Sequence, residues 1–258
     1  MYSQDRSSSR AHFVPRDWKF DRIPPDRPPV LRLLSGSVVS GQNEWRLPVM
    51  PETILLAELA LHEVTVDLEL FAQIILRDLG ATLRILRLVG MEYEEAGERP
   101  YRIAECIVFL GLQTCIEALR AGPMLREFRA ERRRRIVQWW HRSRTVAEQA
   151  RRLADQSGRI DLEQMYLVAL CHGVGALPGI FGWTGARRAV SNTARAGAEL
   201  ARAWSLPACV LEYFSKLQIH GGSSPWLEII RSAQRRLSEQ TDVNADAQEP
   251  SLGRLHAV

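Results

Sequence analysis

Chemistry in this chain would have to start from few residues. The stretch 138–178, QWWHRSRTVAEQARRLADQSGRIDLEQMYLVALCHGVGALP, holds the two histidines best placed for it, His141 and His172. A neutral imidazole can ligate a metal or take a proton near neutral pH. His172 closes an apolar helical run, where the favoured reading is a hydrogen bond to a neighbouring backbone group. Cys171 precedes it but points to a different side of the helix, and no Ser-His-Asp or Cys-His arrangement emerges. The following GVGALPG resembles a phosphate loop only superficially: it follows a helix and lacks the lysine and Ser/Thr of a nucleoside-triphosphate loop. Its glycines are read as closing a helix end and allowing tight packing.

A second cluster is basic. Arg132, Arg133, Arg134 and Arg135 run consecutively, with Arg126, Arg129, Arg142 and Arg144 nearby. Such a group could neutralise phosphates and bind nucleic acid in a salt-sensitive way. Against that reading, Glu127 and Glu131 interleave, consecutive arginines spread around a helix, and no aromatic stacking platform accompanies them. A solvated face, or a contact for an acidic protein partner, is the better expectation.

These residues need elements to hold them. The 258-residue chain, 46% apolar, can fill one large core. Residues 1–45 contain serines, charges and IPPDRPPV, a density of proline that argues for a flexible lead-in, although Trp18, Phe20 and the LRLL of 31–34 could dock. From about 46 to 238 the apolar spacing is helical. Pro51 suits a first turn, with Ile54, Leu55, Ala57 and Leu61 following; VTVDLELFAQIILRDLG reads as a second helix ending before Gly80. ATLRILRLVGMEY is a third, and Gly111 divides two short ones. A long helix from Pro123 to about Ala154 carries Trp139, Ser143, Val146, Ala150 and Leu153 on one face. Asp161 and Gln164 cap LEQMYLVALCH, and later helices cover Asn192–Trp204, Pro207–Ile219 and Ser224 or Pro225 to about Leu237. Residues 239–258 read as a disordered tail. Without period-two alternation no sheet is expected, so the class is all-α.

Four cysteines, Cys106, Cys115, Cys171 and Cys209, sit in apolar surroundings without CxxC spacing and read as reduced core residues. No signal-peptide core is present, and no uninterrupted apolar run is expected to cross a bilayer. A cytoplasmic location and no membrane partner follow as expectations.

The series LPVMPETILLAELA, DLELFAQIILRDLGATLRILRL, IAECIVFLGLQTCIEAL, then Trp140, Ser143 and Ala147 in W-x-x-S-x-x-x-A, ALCHGVGALP and GAELARAWSLPACVLEYF resembles the HD-related output domain, HDOD. The resemblance implies an HD-like multi-helix bundle and a bacterial regulatory module related to the HD phosphohydrolases. Those enzymes assemble a histidine, a His-Asp pair and a later aspartate around divalent metal. By the same resemblance, His172 stands where the pair's histidine would, Gly173 takes the aspartate's place, and Asn192-Thr193 stands where an Asp-His pair would precede the next helix. His141 is one residue early relative to Arg142, a rotation of about 100° that turns it towards solvent. Glu163, Glu199, Glu212 and Glu228 have no spacing that suggests substitution.

The expectation is therefore a non-catalytic signalling module with degenerate metal positions and no cofactor. It would act on an unknown protein partner in trans, or on a small ligand. The alternatives are a residual metal-dependent phosphohydrolase on nucleotides or cyclic dinucleotides, and nucleic-acid binding through Arg132–Arg135.

Overall fold

Pro51 opens helix α1 (Pro51–Leu61), where a missing N–H costs nothing because first-turn amides have no intrahelical partner. The computed structural model describes residues 47–63, 65–93, 99–158, 160–182, 192–219 and 224–247. The flexible lead-in, the docking of Trp18 or LRLL, and the tail beyond Ala247 lie outside the described residues. After α1 come α2 (Leu68–Leu76), α3 (Leu79–Glu92), α4 (Ile103–Leu110) and α5 (Leu112–Arg120). A short 3-10 turn (Leu125–Glu127) leads to α6 (Ala130–Ser157). The chain continues through α7 (Leu162–Cys171), a 3-10 turn (Val174–Ala176), α8 (Leu177–Phe181), α9 (Thr193–Ala203), α10 (Ala208–Gln218) and α11 (Pro225–Ala247). Among the described residues there is no strand, only the isolated bridge Val49–Met124, so the all-α class holds.

The first five helices pack on one another: α1 on α2 and α5, α3 on α4 and α5, α2 on α4. The second group is built on α6, which packs along α7 and α11, while α9 packs on α10 and on the 174–176 turn. One apolar core runs through both groups. Polar bridges tie them together. Arg102 at the start of α4 meets Asp161 at 3.1 Å and Glu163 at 3.3 Å, and Arg99 donates to the carbonyl of Ser205.

Four readings differ from the sequence expectation. The long helix expected from Pro123 to about Ala154 runs from Ala130 to Ser157, because Leu125–Glu127 forms a separate 3-10 turn. Gly80 lies inside α3, not past the end of the second helix. The chain breaks earlier, at Arg77, and Asp78 recaps it by accepting from the Ala81 N–H at 3.2 Å and the Met50 N–H at 2.7 Å. Gly80 is there because a Cβ would stand 1.9 Å from the Pro48 carbonyl oxygen. The last helix runs to Ala247, ten residues past the expected Leu237, so the polar stretch after Ser238 begins as helix. Finally, Leu162–Phe181 is long and apolar enough by composition to span a bilayer, contrary to expectation. Its two helices are separated by the Gly173 turn, and Met165, Leu167, Val168, Leu170, Cys171, Val174 and Leu177 lie in the core. Core packing explains that apolar run.

Gly111, with φ +84°, separates α4 from α5 as expected. Arg84, expected only as an interleaved charge, reaches the carbonyls of Leu119 at 2.6 Å, Ala118 at 3.3 Å and Leu47 at 2.7 Å. A guanidinium at these last carbonyls satisfies groups that the helix leaves open, and it complements the negative end of the α5 dipole.

Candidate functional site

The floor of the site is the α6–α7 contact. Along α6 the buried residues are Ile136, Trp140, Ser143, Val146, Ala147, Ala150 and Ala154. Their steps of three and four centre the stripe on Trp140; Trp139 and Leu153, expected on the inner face, are half-buried at its edge. Small side chains at 147, 150 and 154 let α7 lie close along α6. Asp161 caps α7, its Oδ1 accepting from the N–H groups of Glu163 at 3.0 Å and Gln164 at 2.8 Å.

His172 is the C-cap of α7. Its Nδ1 lies 2.6 Å from the Ala169 carbonyl oxygen, which can only accept, so Nδ1 carries the proton and Nε2 keeps its lone pair. Burial pushes the imidazole below its usual range and the charge of Arg142 adds to this, while the bond to Ala169 opposes both. The ring is therefore a neutral helix-end group hydrogen-bonded to backbone, as the sequence favours.

Gly173 follows, and Trp139 lies over it. A Cβ at Gly173 would meet Trp139 Cζ2 at 3.1 Å and Nε1 at 3.2 Å. The space into which an aspartate side chain would extend is thus bordered by an indole. The chain then passes through Gly175, whose Cβ would sit 1.8 Å from the Thr193 carbonyl oxygen. This close approach brings the start of α9 beside the end of α7. Asn192 is the exposed N-cap there, its Oδ1 accepting from the Arg195 N–H at 2.9 Å. The three positions singled out from the sequence therefore belong to one neighbourhood, and each is engaged structurally: His172 with backbone, Gly173 under Trp139, Asn192 as a cap.

The remaining candidates are elsewhere. His141 is exposed, as its phase on α6 predicts. Glu163 pairs with Arg102 at the opposite end of α7 from His172, Glu199 pairs with Arg195 at 2.9 Å, and Glu212 and Glu228 are exposed. Among the described residues no three His, Cys, Asp or Glu side chains are grouped as a metal would require. Among the described residues, the donor set around His172, one imidazole beside a glycine and a capping amide, does not fit the dinuclear metal of an HD hydrolase. Cys106, Cys115 and Cys171 are buried and Cys209 half-buried, all as free thiols. Burial raises them, Cys115 to about 12 and Cys209 to about 11, which keeps them protonated.

Arg132, Arg133, Arg134 and Arg135 are all exposed on the first turns of α6. Arg135 pairs with Glu131 one turn back. The Arg132 guanidinium lies near Gly182 at the end of α8, where a cation faces the negative end of a helix. The four side chains do not form one stripe. Sequence reading missed Trp139 as the cover of Gly173. The signal was present in the juxtaposition of a large indole and a residue without a side chain, but only the crossing of α6 over α7 joins them.

The family model described as HDOD domain matches residues 47–181. No curated protein matches the chain. Among solved structures, the MmoQ response regulator from Methylococcus capsulatus str. Bath is 16% identical, with 74% of this chain and 88% of that chain covered and a TM-score of 0.53. A fragment (20–298) of the same regulator is 17% identical, with 73% and 81% covered and a TM-score of 0.49. An HDOD domain protein of unknown function from Geobacter sulfurreducens is 20% identical, with 74% and 72% covered and a TM-score of 0.34. At these identities the first likeness shows a shared helical fold.

Proposed function

This chain belongs to the HDOD domain family, and on that premise we propose that it is a regulatory module of signal transduction that binds and does not catalyse. The observation that carries this reading is Trp139 against Gly173. An HD hydrolase needs a carboxylate beside its histidine, and here that place carries a glycine closely faced by the Trp139 indole. Asn192 supports the reading because its side-chain oxygen is committed to capping α9. Input and output then come in trans, from a protein partner or a small ligand. The response-regulator name of the MmoQ neighbour is consistent with a signalling context. Free, protonated thiols at all four cysteines are consistent with the reducing cytoplasm.

The opposing reading is a residual metal-dependent phosphohydrolase centred on His172. Metal analysis of the purified full chain, with phosphodiester turnover on nucleotides and cyclic dinucleotides, separates the two. The binding module retains no stoichiometric iron or manganese, and His172→Ala leaves the background rate unchanged. Stoichiometric metal with turnover that disappears in His172→Ala would overturn the proposal.

A further inference from the structure

Helix α1 is apolar on both sides. Thr53, Ile54, Ala57 and Ala60 are buried against the body, yet Leu55 is 57%, Leu56 43% and Leu59 54% exposed on the opposite side. A helix that is apolar all round is normally enclosed. The exposed leucines follow at steps of one and three, so they form one outward strip about a helical turn long. Leu68 and Leu70, 36% and 48% exposed, follow after a short turn at the start of α2, which packs on α1.

The ends of this strip are polar in a particular order. At 100° per residue, Glu52 three residues before Leu55 and His62 three residues after Leu59 fall on the same outward side, and both are exposed. The strip is thus acidic at its first end, apolar in the middle, and at its last bears the His62 imidazole with exposed Glu63 next to it. Turned end for end, the apolar middle meets itself and the His62 ring comes to the Glu52 end, where an imidazole N–H can donate to the carboxylate. Two copies of α1 laid antiparallel place Leu55 on Leu59 of the other copy twice, with Leu56 near the axis. Glu52 of each meets His62 of the other, and the helix dipoles oppose favourably.

We propose that the outward face of α1 is the contact surface of a two-fold homodimer in which the two α1 helices pack antiparallel through Leu55, Leu56 and Leu59. A standard interface takes about 800 Å² from each partner, a little over half of it apolar. Five partly exposed leucines on α1 and the first turn of α2 supply much of that apolar share, with a weak, concentration-dependent dimer as the result.

Sedimentation equilibrium of the full chain over a broad concentration range tests this. The wild type shows a monomer–dimer equilibrium, and Leu55→Glu/Leu59→Glu is monomeric throughout, with unchanged helical circular dichroism. His62→Glu sets like charges against each other twice and weakens the dimer about tenfold, and Glu52→Arg/His62→Glu restores it to within about threefold. Residues 52 and 62 of one helix are about 15 Å apart along its axis, so the rescue can only be intermolecular. A wild type that remains monomeric up to millimolar concentration overturns the proposal, whether the leucines are then covered by residues 1–46 or by a different protein. So does a dimer indifferent to the leucine changes, or a reversed pair without rescue, which excludes the antiparallel register.

Discussion

The indole of Trp139 lies against the backbone of Gly173, so close that a methyl group added there would meet Cζ2 at 3.1 Å and Nε1 at 3.2 Å. Those two residues are thirty-four apart in the chain, on adjacent helices. A side chain at 173 would fit only if the half-buried indole gave way by a few tenths of an ångström.

Gly173→Asp therefore places its carboxylate against an aromatic face instead of in a ligand pocket. The substitution should destabilise the domain by about 1–3 kcal/mol, the usual cost of overpacking, and should not confer metal binding. Pairing it with Trp139→Ala relieves the clash, and urea unfolding of the single and double variants measures the difference. Equal destabilisation by Gly173→Asp in the presence and absence of the indole would show that Trp139 is not the obstacle.

Arg84 holds three carbonyls from two segments, at Leu47 and at Ala118–Leu119. Arg84→Met keeps much of the apolar stem and leaves those oxygens without their charged donor. A loss of about 2–3 kcal/mol is expected in chemical denaturation, and Arg84→Lys should recover only part of it because a single ammonium cannot reproduce the planar fork.

Asp78 is fully buried, and burial raises its carboxyl from 3.8 to about 6 despite the opposing N–H bonds from Met50 and Ala81. The native state thus holds this proton more tightly than the unfolded chain does. The stabilising contribution is complete below about pH 3.8 and is lost as the pH rises through about 6. Across that window the difference reaches at most about 3 kcal/mol. Urea midpoints between pH 4 and 7 should show this downward trend in the wild type and its absence in Asp78→Asn, measured as the difference between the two curves. A difference that is flat or rises with pH would contradict the assignment.

The Arg132–Arg135 run should not make this chain a nucleic-acid binder. One of the four is paired with Glu131, and the others radiate around the positive end of α6. Filter binding of random-sequence duplex at low salt should show no saturable retention. Retention that falls steeply with added salt, and is lost when the four arginines are reversed to glutamate, would establish the opposite.

Much of the fold was legible because its local instructions agree. Pro51 starts a helix, Asp161 caps α7, Gly111 divides α4 from α5, and the three-and-four spacing on α6 identifies Ser143, Val146 and Ala150 on its inner side. The glycine at 173 and the amide at 192 are also matters of residue type, visible without coordinates. What local patterns could not supply was distance. Gly80 looks like a helix stop by composition, yet it is a helix residue because the Pro48 carbonyl from a remote segment comes within reach. Arg84 looks like a surface charge until α5 ends beside it. The apolar run 162–181 has the length of a bilayer span, and only its break at Gly173 and its burial against neighbouring helices identify it as core. By itself, the sequence determined that positions 173 and 192 carry a glycine and an amide. Tertiary packing alone decided what stands against the glycine, because side chains far apart in the chain meet only where α6 crosses α7.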